Sequence, residues 1–286
     1  MANKRRAKPH QRQRRPRRMI EGDLDRQIVK LIYDYRILSQ EQIQRLMGKS
    51  KPQIQRLLRR LYDHQYLERV FLPVSTFGAP PTLYILDKRG RECLQQQGIE
   101  DFKTQPKKTI SPFFIEHSRA LNEFRIAISQ SCESHNFKLL SWITENELKA
   151  DYDRVEIPSR KEKISLIPDS FFVIQVPGKK PSGFFVELDR GTMSSRKFRQ
   201  KIEAYISYYK TGAYTRRYAL RGFRLLTVID RAGERRLENL VQATARVNGI
   251  AKRHWFALMD QVTGNDPLTA PLWTIAGDHS HYPIFS

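Results

Sequence analysis

From Leu24 to about Arg36 the apolar residues Leu24, Ile28, Leu31, Ile32 and Tyr35 recur at three- and four-residue spacing, which predicts an amphipathic helix. Ser39 with Gln42 three residues on has capping-box spacing, and Ile43, Leu46 and Met47 give the next helix one apolar face until Gly48 ends it. Ser50 starts a third helix. Pro52 is tolerated in its first turn, where amides have no intrahelical acceptor, and Gln53 stands at N3 from the Ser50 cap. Ile54, Leu57, Leu58 and Leu61 line one side of this helix, and Gln55, Arg56, Arg59 and Arg60 lie opposite them as a polar, cationic face. Strands are predicted over Leu67 to Val74 and Thr82 to Leu86, joined by the turn-rich segment from Ser75 to Pro81, with a closing helix from Lys88 to Gln97 that Gly98 ends. Three helices followed by a hairpin predict a winged helix-turn-helix over 19–98.

The polar stretch 99–111, with Pro106 and three lysines, reads as a linker. Beyond it, 112–286 begins with a long helix from Phe113 to Ser134, followed by strands over Lys138 to Thr144, Ser165 to Val176 and Gly183 to Asp189. A helix from Ser194 to Lys210 carries Phe198, Ile202, Tyr205, Ile206 and Tyr209 on one face; strand Arg224 to Ile229, helix Glu234 to Asn248 and strand His254 to Met259 complete the pattern. This alternation predicts an α/β domain with a central mixed sheet of open strand order, so the chain as a whole is α+β.

Composition fits that picture. A length of 286 residues favours two domains, at roughly 100–200 residues each. Hydrophobic residues make up 40% of the chain, and no apolar segment nears the roughly 20 residues of a membrane span. The basic N-terminus leads into Glu21 and Asp23 rather than an apolar leader core, and Cys93 and Cys132 are too few to form a disulfide framework or a zinc site. A reducing cytoplasm is therefore the expected compartment.

Charge changes the picture more. Lys and Arg number 51 against 30 Asp and Glu, a net +21, which points to a polyanionic partner. Residues 1–18 hold nine of those cations and no acid, and with almost no apolar side chain they are expected to be a disordered tail. On the third helix, Lys51, Gln55, Arg56, Arg59 and Arg60 are the candidate contacts to double-stranded DNA, since arginine can fork onto guanine and glutamine can pair with adenine. Arg14, Arg15, Arg17 and Arg18 of the tail are candidates for its phosphates.

A second constellation lies in IPDSFF and FFVELDR. Asp169 follows Pro168 within an expected strand, and Glu187 and Asp189, two apart on the next strand, share a face of the sheet. Carboxylates converging from adjacent strands suit Mg²⁺ or Mn²⁺, which favour oxygen ligands and can activate water at a scissile phosphate. The expected ligands are Asp169, Glu187 and Asp189. The order resembles the PD-(D/E)xK nuclease superfamily, whose motif places a lysine two residues after the second acid. Asp189 stands there instead. Lys201, or Lys197 one turn earlier, is the cation that the next helix could supply, which would make Asp169, Glu187 and Lys201 the catalytic set.

The segments DRQIVKLIYDYRILSQEQIQRL, RRLYDHQYLERV, LYILDKRG, EHSRALNEF, IPDSFF, VELDRGT and KIEAYISYY, in this order over roughly residues 24–230, resemble the bacterial replication-relaxation family of plasmids and mobile elements. The resemblance implies a DNA-binding accessory protein of replication, relaxation or transfer, with a relaxase or replication initiator as a partner. Two alternatives stand beside it: a metal-dependent DNA endonuclease, and a winged-helix transcriptional repressor with no second active centre.

Overall fold

The computed structural model describes residues 11–13, 16, 18–72, 81–102, 111–157, 162–247, 251–278 and 280–286. The chain divides into two compact units, 1–122 and 123–286.

In the first unit α1 (Asp23–Tyr35) leads through β1 (Leu38–Ser39) to α2 (Gln40–Met47) and α3 (Lys51–Asp63), then to β2 (Leu67–Val70), β3 (Leu83–Leu86), α4 (Lys88–Gln95) and the start of α5 (Pro112–Ser134). β3 lies between β1 and β2 and is antiparallel to both. The strand expected to reach Val74 is described only to 72, and the turn-rich segment after it lies outside the described residues. Ser39 caps α2 as its spacing predicts: its Oγ accepts from the Gln42 amide at 3.1 Å, and Gln42 Oε1 accepts from the Ser39 amide at 2.9 Å. Gly48 ends that helix in the left-handed conformation, φ 58°. Ser50 precedes α3 without a side-chain cap bond.

Ile54, Leu57, Leu58 and Leu61 are all buried, so α3 has the phase its apolar stripe predicts. α1 is rotated from expectation. Ile28, Val29, Ile32 and Tyr35 are buried with Asp25, whereas Leu24 and Leu31 are only half-buried. The cause is Asp25, whose carboxylate accepts from the Gly22 amide at 2.9 Å and from Arg60 Nη2 on both oxygens at 2.6 Å, holding that edge of α1 inward. The opening of α5 belongs to this unit because Ile115 is buried with Ile37, Val70, Leu83 and Ile85, and the Asn122 amide donates to the Tyr35 and Ile37 carbonyls. The division therefore falls inside α5 rather than in 99–111, of which 103–110 lie outside the described residues.

The second unit takes in the rest of α5, then β4 (Lys138–Thr144), α6 (Glu145–Ala150), β5 (Asp153–Ile157), β6 (Glu162–Leu166), β7 (Ser170–Gln175), β8 (Ser182–Asp189), α7 (Ser195–Lys210), α8 (Ala213–Tyr218), β9 (Phe223–Ile229), α9 (Gly233–Ala245), β10 (His254–Leu258), α10 (Met259–Gly264), β11 (Trp273–Ile275) and β12 (His281–Tyr282). Seven strands form a mixed sheet in the order β12-β11-β10-β9-β8-β7-β4. β8, β9 and β10 are parallel neighbours, joined by the crossovers through α7–α8 and α9 that parallel pairing requires, and the other pairs are antiparallel. β5 and β6 make a separate hairpin.

The single strand expected from Ser165 to Val176 is in fact two. Pro168 has no amide to give to a ladder, so β6 ends before it and β7 begins after Asp169. Along β8 the alternation is strict: Phe185 points to Tyr205 of α7, whereas Phe184 stacks on Phe172, which in turn meets Phe124 of α5. Among the described residues no helix is long and apolar enough to cross a membrane.

The start of α4 is pinned to the turn before β2, with the Asp87 amide donating to the Tyr66 carbonyl at 2.9 Å. A Cβ on Gly90 would stand 2.3 Å from that same carbonyl oxygen, a backbone atom with little freedom to yield. Gly90→Ala should therefore destabilise the protein by about 1–3 kcal/mol, measured as a lower urea midpoint at unchanged slope.

Candidate functional site

Two regions hold the residues singled out in the sequence. In the first unit, Lys51, Gln55 and Arg56 are exposed on the outer face of α3, with no ion pair among the described residues. Arg59 and Arg60, expected on the same free face, are engaged. Arg59 Nε binds Asp63 at 2.8 Å and its Nη2 donates to the Gln11 carbonyl at 3.0 Å, while Arg60 holds the buried carboxylate of Asp25. An open groove of about 990 Å³ runs beside this face, lined by Gln55, Arg56, Arg59, Arg60, Pro16 and Arg18 among others. Arg14, Arg15 and Arg17 lie outside the described residues. Gln11, Arg12 and Gln13 depart from the disordered tail expected over 1–18, because groups of the first unit bind them: Arg12 meets Glu68 and Asp87, and the Gln13 amide meets Asp63.

In the second unit the β6–β7 break places Asp169 beside β8. Its amide donates to the Val186 carbonyl at 3.0 Å, and its Oδ2 accepts from the Leu188 amide at 2.6 Å. The side chain thus satisfies a β8 amide beyond the last backbone pair of β7 with β8. Glu187 and Asp189 both turn toward the α7 side, as their spacing predicts, but their partners differ. Glu187 accepts from Lys201 Nζ on one oxygen and from the Tyr205 hydroxyl, at 2.5 Å, on the other. Asp189 lies in the fork of Arg236, with Nε at 2.9 Å and Nη2 at 2.7 Å. The structure therefore brings Asp169, Glu187 and Lys201 together, assigns Asp189 to a different cation, and leaves Lys197 exposed one turn before Lys201.

Burial sets the electrostatics of this cluster. Glu187 is 6% exposed. Loss of water pushes its pKa up to about 7, and Asp169 pushes the same way, while Lys201 and the Tyr205 hydroxyl oppose the shift. Burial pulls Lys201 down, yet Glu187 and Asp169 more than offset it, so the ammonium is held above its ordinary value. One proton on Glu187 leaves Asp169, Glu187 and Lys201 neutral as a group. The Tyr205 hydroxyl is driven well above its usual range by burial and by the carboxylate that it bonds.

A divalent ion needs several oxygen donors with free lone pairs and room for its waters. Here both oxygens of Glu187 are engaged by Lys201 and Tyr205, Asp189 is engaged by Arg236, and one oxygen of Asp169 is bound to β8. The cavity that Glu187, Asp189, Lys201, Tyr205 and Thr227 line measures about 10 Å³, space for about one water. Among the described residues no group of three or more His, Cys, Asp or Glu could hold a metal ion. As arranged, the donor set does not fit a resident Mg²⁺ or Mn²⁺.

Sequence reasoning passed over Arg236 and the polar role of Tyr205. Both carry a helical signal: Tyr205 stands one turn after Lys201, and Arg236 shares a face with the buried Leu240 and Thr244, the placement of an inward-facing cation. Thr227 and His254 were missed as well. Among the described residues, Thr227 Oγ1 and both ring nitrogens of His254 are buried without a hydrogen-bond partner, and burial lowers the His254 pKa to about 3.

Comparison with known proteins adds one match. The model of the replication-relaxation family matches residues 29–222, which takes in α3 and the cluster of Asp169, Glu187 and Lys201 but not Arg12 or Arg236. No curated protein sequence matches the chain.

Two measurements test the electrostatics. With a folded pKa near 7 against an ordinary 4.5, Glu187 binds its proton more tightly in the folded state than in the unfolded one. Its contribution to stability is thus complete below about pH 4.5 and is lost as pH rises through 7, by up to ~3 kcal/mol. Glu187→Gln should flatten the urea-midpoint profile over that window relative to wild type. Separately, Mg²⁺ or Mn²⁺ should leave the wild-type melting temperature unchanged, whereas Lys201→Ala, which vacates the cation position beside two carboxylates, should gain an upward shift on adding Mn²⁺.

Proposed function

The chain belongs to the replication-relaxation family, and from that premise we propose that it is a DNA-binding accessory protein of plasmid or mobile-element replication or relaxation that reads double-stranded DNA through a winged helix in the first unit. The observation that carries this reading is the outer face of α3, where Lys51, Gln55 and Arg56 stand exposed beside a broad groove that Arg18 also lines. α2 and α3 with their tight Gly48 turn, followed by the antiparallel pair β2 and β3, have the order of a helix-turn-helix with a wing. The net +21 supplies long-range attraction to phosphates. On this reading the second unit is a nuclease-like platform whose carboxylates are neutralised from within, and a relaxase or replication initiator in the cytoplasm is the protein partner. Footprinting on the native locus tests it: protection near an origin of replication or transfer supports the accessory role, and protection confined to the protein's own promoter supports a repressor.

A second reading, a metal-dependent endonuclease, draws on the convergence of Asp169, Glu187 and Lys201 from a strand start, a strand and the following helix. Conversion of supercoiled plasmid to open circle in Mg²⁺ or Mn²⁺, lost in Glu187→Gln, would establish it over the platform.

Two arginines one turn apart in the groove should behave oppositely. Arg56→Ala should leave the melting temperature nearly unchanged and cost about 1–3 kcal/mol at a cognate site, with a smaller effect on random DNA. Arg60→Ala should lower stability by about 1–3 kcal/mol, since it withdraws the cation from a buried Asp25 carboxylate. Binding isotherms and thermal unfolding of the same preparations separate the two.

A further inference from the structure

We propose that Arg12 is a positioning residue that straps residues 11–13 across the end of α3, so that the N-terminal cations approach DNA from a fixed point beside the groove rather than on a freely jointed arm. The proposal rests on the DNA-binding reading above.

Three consecutive residues are tethered, each by a different group. Arg59 donates to the Gln11 carbonyl at 3.0 Å, and the Gln13 amide donates to Asp63 Oδ1 at 3.0 Å. Between them the Arg12 guanidinium reaches Asp87 Oδ2 at 2.5 Å, the Leu67 carbonyl at 3.0 Å and Glu68 Oε2 at 3.2 Å, and it lies 4.8 Å from the centre of the Tyr62 ring. Its side chain is 24% exposed, and the side chains of Glu68 and Asp87 are 14% and 19% exposed. These bonds are far better shielded from solvent than an ordinary surface pair, and charge-assisted bonds gain from that shielding. Asp63 serves both sides, since its second oxygen binds Arg59 of α3. Pro16, Arg18, Met19 and Ile20 line the same groove as Pro52, Gln55 and Arg56. An arm held in place before binding gives up less conformational freedom when it meets the phosphates.

The rival account makes Arg12 one more phosphate-binding cation of a mobile tail, and the two accounts differ in sign. Glu68→Gln with Asp87→Asn removes two negative charges from a DNA-binding unit, which by simple electrostatics tightens binding and frees Arg12 for phosphate. If Arg12 is a strap, the same double variant releases the segment and weakens binding. Asn at position 87 keeps a capping side chain for α4, whose first amide the Asp87 carboxylate now binds at 2.8 Å.

The experiment titrates a short fluorescein-labelled duplex of mixed sequence with the full chain across a salt series, and follows deuterium uptake of the peptide containing Gln13 in the free proteins. Arg12→Ala and the Glu68→Gln/Asp87→Asn variant should each weaken binding several-fold, lower the salt slope by about 0.9 for every phosphate that the protein no longer neutralises, and speed exchange at Gln13; the triple variant should add nothing further. Fast exchange at Gln13 in wild type, or a double variant that binds as well as wild type or better, overturns the strap. Protection at Gln13 with no duplex binding by wild type overturns the DNA reading, and the proposal with it, while leaving the tether itself observed.

Discussion

A carboxylate that has lost its water must be given a proton, a cation or a hydrogen bond in return, and both units are arranged around that requirement. In the second unit the C-terminal ends of two parallel strands carry Glu187 and Ile229, with Asp189 beside the latter, and the helices that follow supply what the acids lack. Lys201 and Tyr205, one turn apart on α7, converge on Glu187, and Arg236 of α9 grips Asp189 and also donates to the Met193 carbonyl. Apolar burial through Phe185, Leu225 and Phe256 drives both helices onto the sheet, and the polar bonds fix where they stop. Such pairs add little net stability against a well-packed apolar alternative, but each is costly to break from one side.

The first unit applies the same rule with the roles reversed, since there the cations are plentiful and the acids select among them. Asp25 takes Arg60, Asp63 takes Arg59, and Glu68 with Asp87 takes Arg12. The count of cations, rather than the net charge, therefore overstates what the surface offers a partner. Lys51 and Arg56 stand out on α3 because their neighbours have been drawn into internal pairs, which narrows a broad cationic face to a short outward row.

Where chemistry is local, the sequence was a good guide. The Ser39 and Gln42 capping box, the Gly48 stop and the α3 stripe each depend on residues within one or two turns. Lys201 was within reach for the same reason, since helical phase alone places it one turn inside the exposed Lys197. The rotation of α1 was hidden because Asp25 is buried by a partner 35 residues away. Arg236 and Arg12 likewise find their acids 47 and at least 56 residues off, beyond any periodicity. β5 is not expected from the sequence, and β6 only in its last residues Ser165 and Leu166, because only Val155, Ile157 and Leu166 turn fully inward among charged neighbours, so the alternation is faint. The strand expected through Asp169 is longer than either observed strand because apolar residues flank Pro168 on both sides, and only the missing proline amide marks the break.

That break also has a consequence for how the second unit assembles. β7 and β8 are joined by the short turn 176–181, so their pairing closes only a small loop, at small entropic cost, and brings Asp169 and Glu187 together. Lys201 lies outside that hairpin, on the crossover through α7 and α8 that takes the chain to β9 on the far side of β8. The hairpin taken alone sets two carboxylates side by side without the ammonium that balances them, and their mutual repulsion opposes it unless α7 is packed against the sheet. Protonation of Glu187, or screening salt, relieves that repulsion.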